Sequence, residues 1–236
     1  MAPPLRFWAL IPAAGRGARM GLERPKQYLT LGGKTMLEHS LGLFLDHARI
    51  AGVVVALAPQ DPYWPQLKIA HTPRVHAVTG GDERAQSVLA GLRRLGEMAG
   101  QEDWVLVHDA ARPCLDRGMI DRLMAELEQD PVGGLLALPA RDTIKQAQEG
   151  RVAATLDRRQ LWHAQTPQMF RLGALHAALT GAIAAGRAVT DESMAMELAG
   201  HAPRLVEGSA DNLKITRRED LGLAEFILRR RAEGVQ

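Results

Sequence analysis

Cysteine is nearly missing: the 236 residues contain one, Cys114, which excludes an internal disulfide framework and any cysteine-rich zinc module. That scarcity fits a reducing compartment, and a cytoplasmic location is expected. A surplus of charge is missing too. Lys and Arg total 29 against 27 Asp and Glu, a net +2, too weak a field to indicate a nucleic-acid or membrane-surface partner. No apolar run is long enough to span a bilayer, because the widest charge-free interval, between Arg171 and Arg187, is short and rich in Ala, Gly and Thr. The opening residues carry one Arg and a brief apolar run without a cleavage pattern, and they read as a first strand rather than a secretion signal. The histidines outside the motifs below are scattered, with no metal-ligand spacing.

What is present is ordinary globular material, 46% hydrophobic and 24% charged, enough to bury a core unaided. Short apolar runs alternate with helical patterns: Phe7 to Ile11 and then Met36 to His47; Gly52 to Leu57 and then Ala85 to Met98; Trp104 to Val107 and then Met119 to Gln129. A further apolar run covers Gly134 to Leu138, and helical patterning returns at Leu172 to Ala185 and Glu192 to Leu198. This alternation predicts an α/β fold, a single Rossmann-like domain with a mostly parallel twisted sheet flanked by helices. Residues 139–159 change character, with alternating polar and β-branched residues around Gly150, and predict a projecting hairpin arm. An isolated hairpin is marginal in water, so this arm is expected to dock on a second copy of the chain. The last helix is expected to open on a capping box, Thr216-Arg217-Arg218-Glu219, and to end in three arginines that complement its dipole.

Chemistry-bearing residues cluster after the strands. The first strand runs into Pro12-Ala13-Ala14-Gly15-Arg16-Gly17-Ala18-Arg19-Met20, with Pro25-Lys26-Gln27 beyond. Glycines at 15 and 17 let backbone N–H groups approach an anion, and Arg19 and Lys26 add cations, which outlines a polyphosphate loop. A dehydrogenase fingerprint needs a third glycine where Met20 stands, and a Walker loop needs glycine where Tyr28 stands, so both are disfavoured. Gly80-Gly81-Asp82-Glu83-Arg84-Ala85-Gln86-Ser87 opens a helix and could hold a base and ribose, or be a glycine turn capped by Asp82. His108-Asp109-Ala110-Ala111-Arg112-Pro113 follows the third strand, where an open sheet binds its ligand. Asp109 could serve a metal, a ribose or a substrate hydroxyl, or simply a cap and salt bridge.

Taken in order with Asp142-Thr143-Ile144-Lys145, Leu161-Trp162-His163-Ala164-Gln165-Thr166-Pro167-Gln168, Thr190-Asp191-Glu192 and Asp211-Asn212-Leu213-Lys214-Ile215-Thr216, these motifs resemble the 2-C-methyl-D-erythritol 4-phosphate cytidylyltransferases nearly end to end. The resemblance implies one nucleotidyltransferase domain over residues 1–236. The implied reaction joins CTP to methylerythritol 4-phosphate with release of pyrophosphate, in non-mevalonate isoprenoid biosynthesis. A cytidylyltransferase for another polyol phosphate, such as ribitol 5-phosphate, is the alternative. On the same resemblance, Arg19, Lys26, Arg158 and Lys214 act on the reacting phosphates, and Ala13, Ala14, Gly15, Gly17, Gly81, Asp82 and Ser87 hold the nucleotide. Asp109, Arg112, Thr143, Thr166 and Thr190 face the polyol. It also implies Mg²⁺, with its protein ligands unassigned, and a homodimer whose arms are exchanged so that each site is completed by its neighbour.

Overall fold

The computed structural model describes residues 5–15 and 24–234. Gly17 and Arg19 lie outside the described residues. In chain order the elements are β1 (Phe7–Ala13), a small hairpin of β2 (Thr30–Leu31) and β3 (Lys34–Thr35), α1 (Met36–Leu45), β4 (Ile50–Leu57) and β5 (Val75–Thr79). Next come α2 (Arg84–Gly96), β6 (Trp104–Val107), α3 (Arg117–Leu127), β7 (Gly133–Pro139), β8 (Ile144–Gln148) and β9 (Arg151–Leu156). The chain continues through β10 (Trp162–Arg171), α4 (Leu172–Ala184), α5 (Glu192–Leu198), β11 (Arg204–Glu207) and α6 (Asp220–Ala232).

Among the described residues, seven strands form one sheet in the order β11-β7-β10-β6-β1-β4-β5. Every neighbouring pair is parallel except the two made by β10, which runs against both β6 and β7. The central strands are buried on both faces and therefore read as unbroken apolar runs. Alternate residues of β1 go to opposite layers, as strand geometry requires. Phe7, Ala9 and Ile11 pack with Leu41 and Phe44 of α1 and Ile120 and Leu123 of α3. Trp8 and Leu10 pack with Leu92 of α2 and Leu175 and Leu179 of α4. At Gly91 a β-carbon would stand 2.2 Å from a Leu10 methyl, so the absence of a side chain is what lets α2 lie flat on β1.

Within residues 139–159, β8 and β9 form a hairpin that, among the described residues, pairs only with itself, turning through Glu149 and Gly150, both at positive φ, the backbone that two-residue hairpins favour. It carries exposed apolar groups, Val152 above all, at 64% of its surface. The segment around Gln165, for which the sequence pattern predicts no element, is the long strand β10. One expectation needs correction. The last helix starts at Asp220, not on a Thr216–Glu219 box: Asp220 accepts from the Thr216 and Arg217 N–H groups at 2.7 and 2.8 Å, and one carboxylate thereby ties the preceding turn to the start of the helix.

Candidate active site

β1 stands where connections diverge: β4 lies on one side of it and β6 on the other, and the crevice beyond their carboxyl ends is where open α/β sheets take ligands. A cavity of about 560 Å³ opens there. One wall is Ala13, Ala14 and Gly15, leaving β1, and it is fixed by Gln27, whose amide donates to the Ala13 carbonyl at 2.8 Å. A second wall is the loop into α2, with Gly81, Asp82, Arg84 and Ser87. At Gly80 a β-carbon would fall 2.7 Å from the Ala14 methyl carbon and 2.7 Å from Ser87 Oγ, so these two walls can meet only through glycine. Ser87 Oγ accepts the Gly81 N–H at 3.2 Å and holds the loop. Asp109 and Ala110 after β6 form the floor, and Lys26, Lys214 and Thr216 close the remaining side.

Charges in the floor are paired in sequence. Arg84 Nε donates to Asp109 Oδ1 at 2.9 Å, and its two terminal nitrogens grip Glu192 at 2.6 and 3.0 Å. Lys214 Nζ lies 2.7 Å from Asp109 Oδ2. Burial works against the charge of Asp109, but Arg84, Lys214 and Arg112 outweigh it, and its carboxyl sits well below the ordinary carboxylate range. Burial likewise opposes the Arg84 charge, and Glu192 and Asp109 more than offset it, raising its pKa. Lys26 Nζ donates to the Ile215 carbonyl at 2.9 Å, next to Lys214.

Behind the floor, His108 is fully buried, and that burial pushes its imidazole down to about 4 against the pull of Asp109. Its Nε2 faces the Arg112 carbonyl at 3.1 Å, which can only accept, so this nitrogen carries the proton. Nδ1 then accepts from the Thr166 hydroxyl at 2.9 Å, and that hydroxyl oxygen accepts the Asp109 N–H at 3.1 Å. The chain of bonds fixes the backbone that carries Asp109.

Most of the expected site residues meet here. Ala13, Ala14, Gly15, Lys26, Gly81, Asp82, Ser87, Asp109 and Lys214 all line the cavity. Arg112 and Thr166 are buried behind it: the Arg112 guanidinium donates to the carbonyls of Asn212 at 2.6 Å and Ala164 at 3.2 Å, bracing the segment that bears Lys214. Thr190 is exposed, its hydroxyl 3.5 Å from Met194 Sδ. Thr143 and Arg158 sit at the foot of the arm, exposed, and line no part of this chain's cavity; Arg158 donates to the Arg141 carbonyl. The sequence pattern assigned no part in the site to Arg84, Glu192, Gln27 or Thr216. Arg84 and Glu192 stand within the quoted motifs, but nothing in their spacing shows that they meet across 108 positions. Among the described residues no group of three or more His, Cys, Asp or Glu is arranged to hold a metal.

An open, mostly parallel sheet, with small residues and backbone on one side of its crevice and lysines on the other, defines an α/β protein of the nucleotidyltransferase class. Comparison with known proteins narrows the class. Residues 7–230 match the family described as 2-C-methyl-D-erythritol 4-phosphate cytidylyltransferase, and the chain belongs to that family. The protein of that name from Pseudomonas fluorescens strain SBW25 is 61% identical over 217 residues, covering 91% of this chain and 92% of its own. The one from Ectopseudomonas mendocina strain ymp is 62% identical over 218 residues, covering 92% and 93%. Among solved structures, a 4-diphosphocytidyl-2C-methyl-D-erythritol synthase superposes with a TM-score of 0.84 at 39% identity, over 96% of this chain and 100% of that one. The Francisella tularensis 2-C-methyl-D-erythritol 4-phosphate cytidylyltransferase gives 0.82 at 36%, over 94% and 99%.

Proposed function

We propose that this protein transfers the CMP portion of CTP to 2-C-methyl-D-erythritol 4-phosphate, in isoprenoid biosynthesis. An oxygen of the substrate phosphate forms a bond to the α-phosphorus, the bond from that phosphorus to the bridging oxygen breaks, and pyrophosphate leaves. The attacking phosphate is already ionised at neutral pH, so the reaction needs no strong general base. Positioning two polyanions and stabilising the charge that builds at phosphorus are the main demands. The single observation that carries the reading is the cavity itself, with Ala13 to Gly15, Gly81, Asp82 and Ser87 on one side and Lys26 and Lys214 on the other.

In this reading the base and ribose lie against the small residues and backbone of the first two walls. Lys26 and Lys214 hold the phosphates; Arg19 and Gly17, which the family resemblance assigns to the phosphates and the nucleotide, lie outside the described residues. Asp109 is committed to two cations, and the described residues supply no cage for an ion. Magnesium is therefore taken as part of the substrate, entering on the triphosphate that supplies most of its ligands.

Arg158 and Thr143 belong to the reading through a second copy of the chain. Among the described residues β8 and β9 pair only with each other, and they expose Val152 and Leu156, while Arg158 and Thr143 line no part of their own cavity. A homodimer with exchanged arms brings them to the neighbour's polyol, alongside Thr190. The lone thiol is buried, pushed up to about 11 by that burial, and donates to the Ala224 carbonyl at 3.6 Å; the cytoplasmic location rests on the scarcity of cysteine. Among the described residues no helix is long and apolar enough to cross a membrane.

The test is pyrophosphate release from CTP and Mg²⁺ with a panel of polyol phosphates. Turnover with methylerythritol 4-phosphate is expected; turnover only with ribitol 5-phosphate would move the assignment to that polyol.

A further inference from the structure

Four side chains of alternating charge, Glu192, Arg84, Asp109 and Lys214, are bonded in series from behind the cavity to its lining, and the first lies too deep to touch a ligand. Glu192 is only 1% exposed and lines no part of the cavity. Its place is fixed from the sheet. Asp191 caps α5 by accepting the Met194 N–H at 3.0 Å, while Gln168 of β10 donates to Asp191 at 2.9 Å and accepts the Ser193 N–H at 2.7 Å.

From this anchored position Glu192 takes both terminal nitrogens of Arg84. Of the Arg84 nitrogens it is Nε that bonds Asp109, and it reaches one oxygen, Oδ1. The other oxygen is the anchor of Lys214, whose side chain is 42% exposed and faces the cavity. Arginine and carboxylate pair most strongly as two parallel bonds. With the Glu192 charge gone, the fork of Arg84 can turn and take both oxygens of Asp109, and Lys214 loses its hold. Buried ion pairs add little net stability over apolar packing, since desolvation cancels much of the attraction. Placement is the better account of four charges kept in one wall.

We propose that Glu192 is a positioning residue: by occupying the fork of Arg84 it reserves one oxygen of Asp109 for Lys214, and so sets where the Lys214 ammonium meets the reacting phosphates. The inference rests on the reading of this cavity as the site of cytidylyl transfer.

The test is a double-mutant cycle between two residues that share no bond, Glu192→Gln and Lys214→Gln, read as kcat and as the KM for CTP in the pyrophosphate assay. Glu192→Gln alone is expected to lower kcat about tenfold, the range found for changes along coupled networks, with the KM for CTP held within about twofold. In the Lys214→Gln background the same substitution should lower kcat less than about twofold. An equal tenfold loss in both backgrounds, or a loss that falls on the KM for CTP, would overturn the proposal. If Glu192→Gln does not fold, the cycle is run with Glu192→Asp, which keeps the charge and withdraws it by one methylene, and is judged by the same two outcomes. Unmodified protein inactive with CTP and methylerythritol 4-phosphate would overturn the functional reading and this inference with it. An active unmodified protein with an additive cycle sinks the inference alone.

Discussion

Lys26 lines the cavity and donates to the Ile215 carbonyl, so its side chain is tied to the segment bearing Lys214. In the proposed reaction a cation held this way is preorganised for the charge that develops at phosphorus. Lys26→Ala is therefore expected to lower kcat by about 10²–10³, the cost of removing one such donor, with a much smaller change in the KM for CTP. Steady-state kinetics with each substrate varied in turn checks it. His108 gives a prediction about acid. Its imidazole is pushed down to about 4 in the fold, while in the unfolded chain it titrates near 6.5. Between those values the unfolded chain binds more protons, so its contribution to stability is complete above about pH 6.5 and is lost as pH falls toward 4. From pH 8 to pH 5 the loss is about 2 kcal/mol, read as a shift in the urea midpoint. A His108→Gln variant should lose less over the same interval; an equal loss would place the acid sensitivity elsewhere. Asp109, held low by its cations, adds acid sensitivity as pH falls through the ordinary carboxylate range, where the unfolded chain takes up a proton that the folded one does not. At this scale the sequence was informative where type and place coincide, as with Lys26 and Lys214. It was silent on Arg84 with Glu192, because a partner 108 positions away leaves no trace in local spacing.

The elements most open to reading were those whose pattern follows directly from burial. β1, β4, β6 and β7 are continuous apolar runs because both faces are covered, and α1 to α5 show the stripe that packs on them. β10 escaped because its buried residues include Gln165, Thr166 and Gln168, satisfied by hydrogen bonds to Ser209, His108 and Asp191 rather than by apolar contact. β11 escaped because only Val206 of its four residues is buried. The arm was legible for the opposite reason, a strand pair with almost nothing to bury. Its proposed exchange predicts complementation. Protein carrying Lys26→Ala, mixed and re-equilibrated with protein carrying Arg158→Ala, gives hybrid dimers in which one of two sites is intact. Random exchange makes half the dimers hybrid, so activity should return to about a quarter of the unmodified level. No recovery, with subunit exchange confirmed by mass, contradicts a site shared between copies.

For the whole molecule, a net charge of +2 conceals a local arrangement that matters more than the sum. Lys26, Arg84 and Lys214 meet Asp82, Glu83 and Asp109 around the cavity at the divergence of β1 and β6, where an open sheet leaves its crevice. Strand alternation was enough to expect that crevice. Its contents, and the cross-sheet network of His108, Thr166 and Arg112 that supports it, depend on tertiary contacts that periodicity does not encode. The most direct measurement is a crystal structure of the protein with CTP and Mg²⁺. The account predicts cytosine against Gly81, Asp82 and Ser87, with the α-phosphorus between Lys26 and Lys214. A triphosphate bound outside this cavity, with both lysines away from it, would contradict the account.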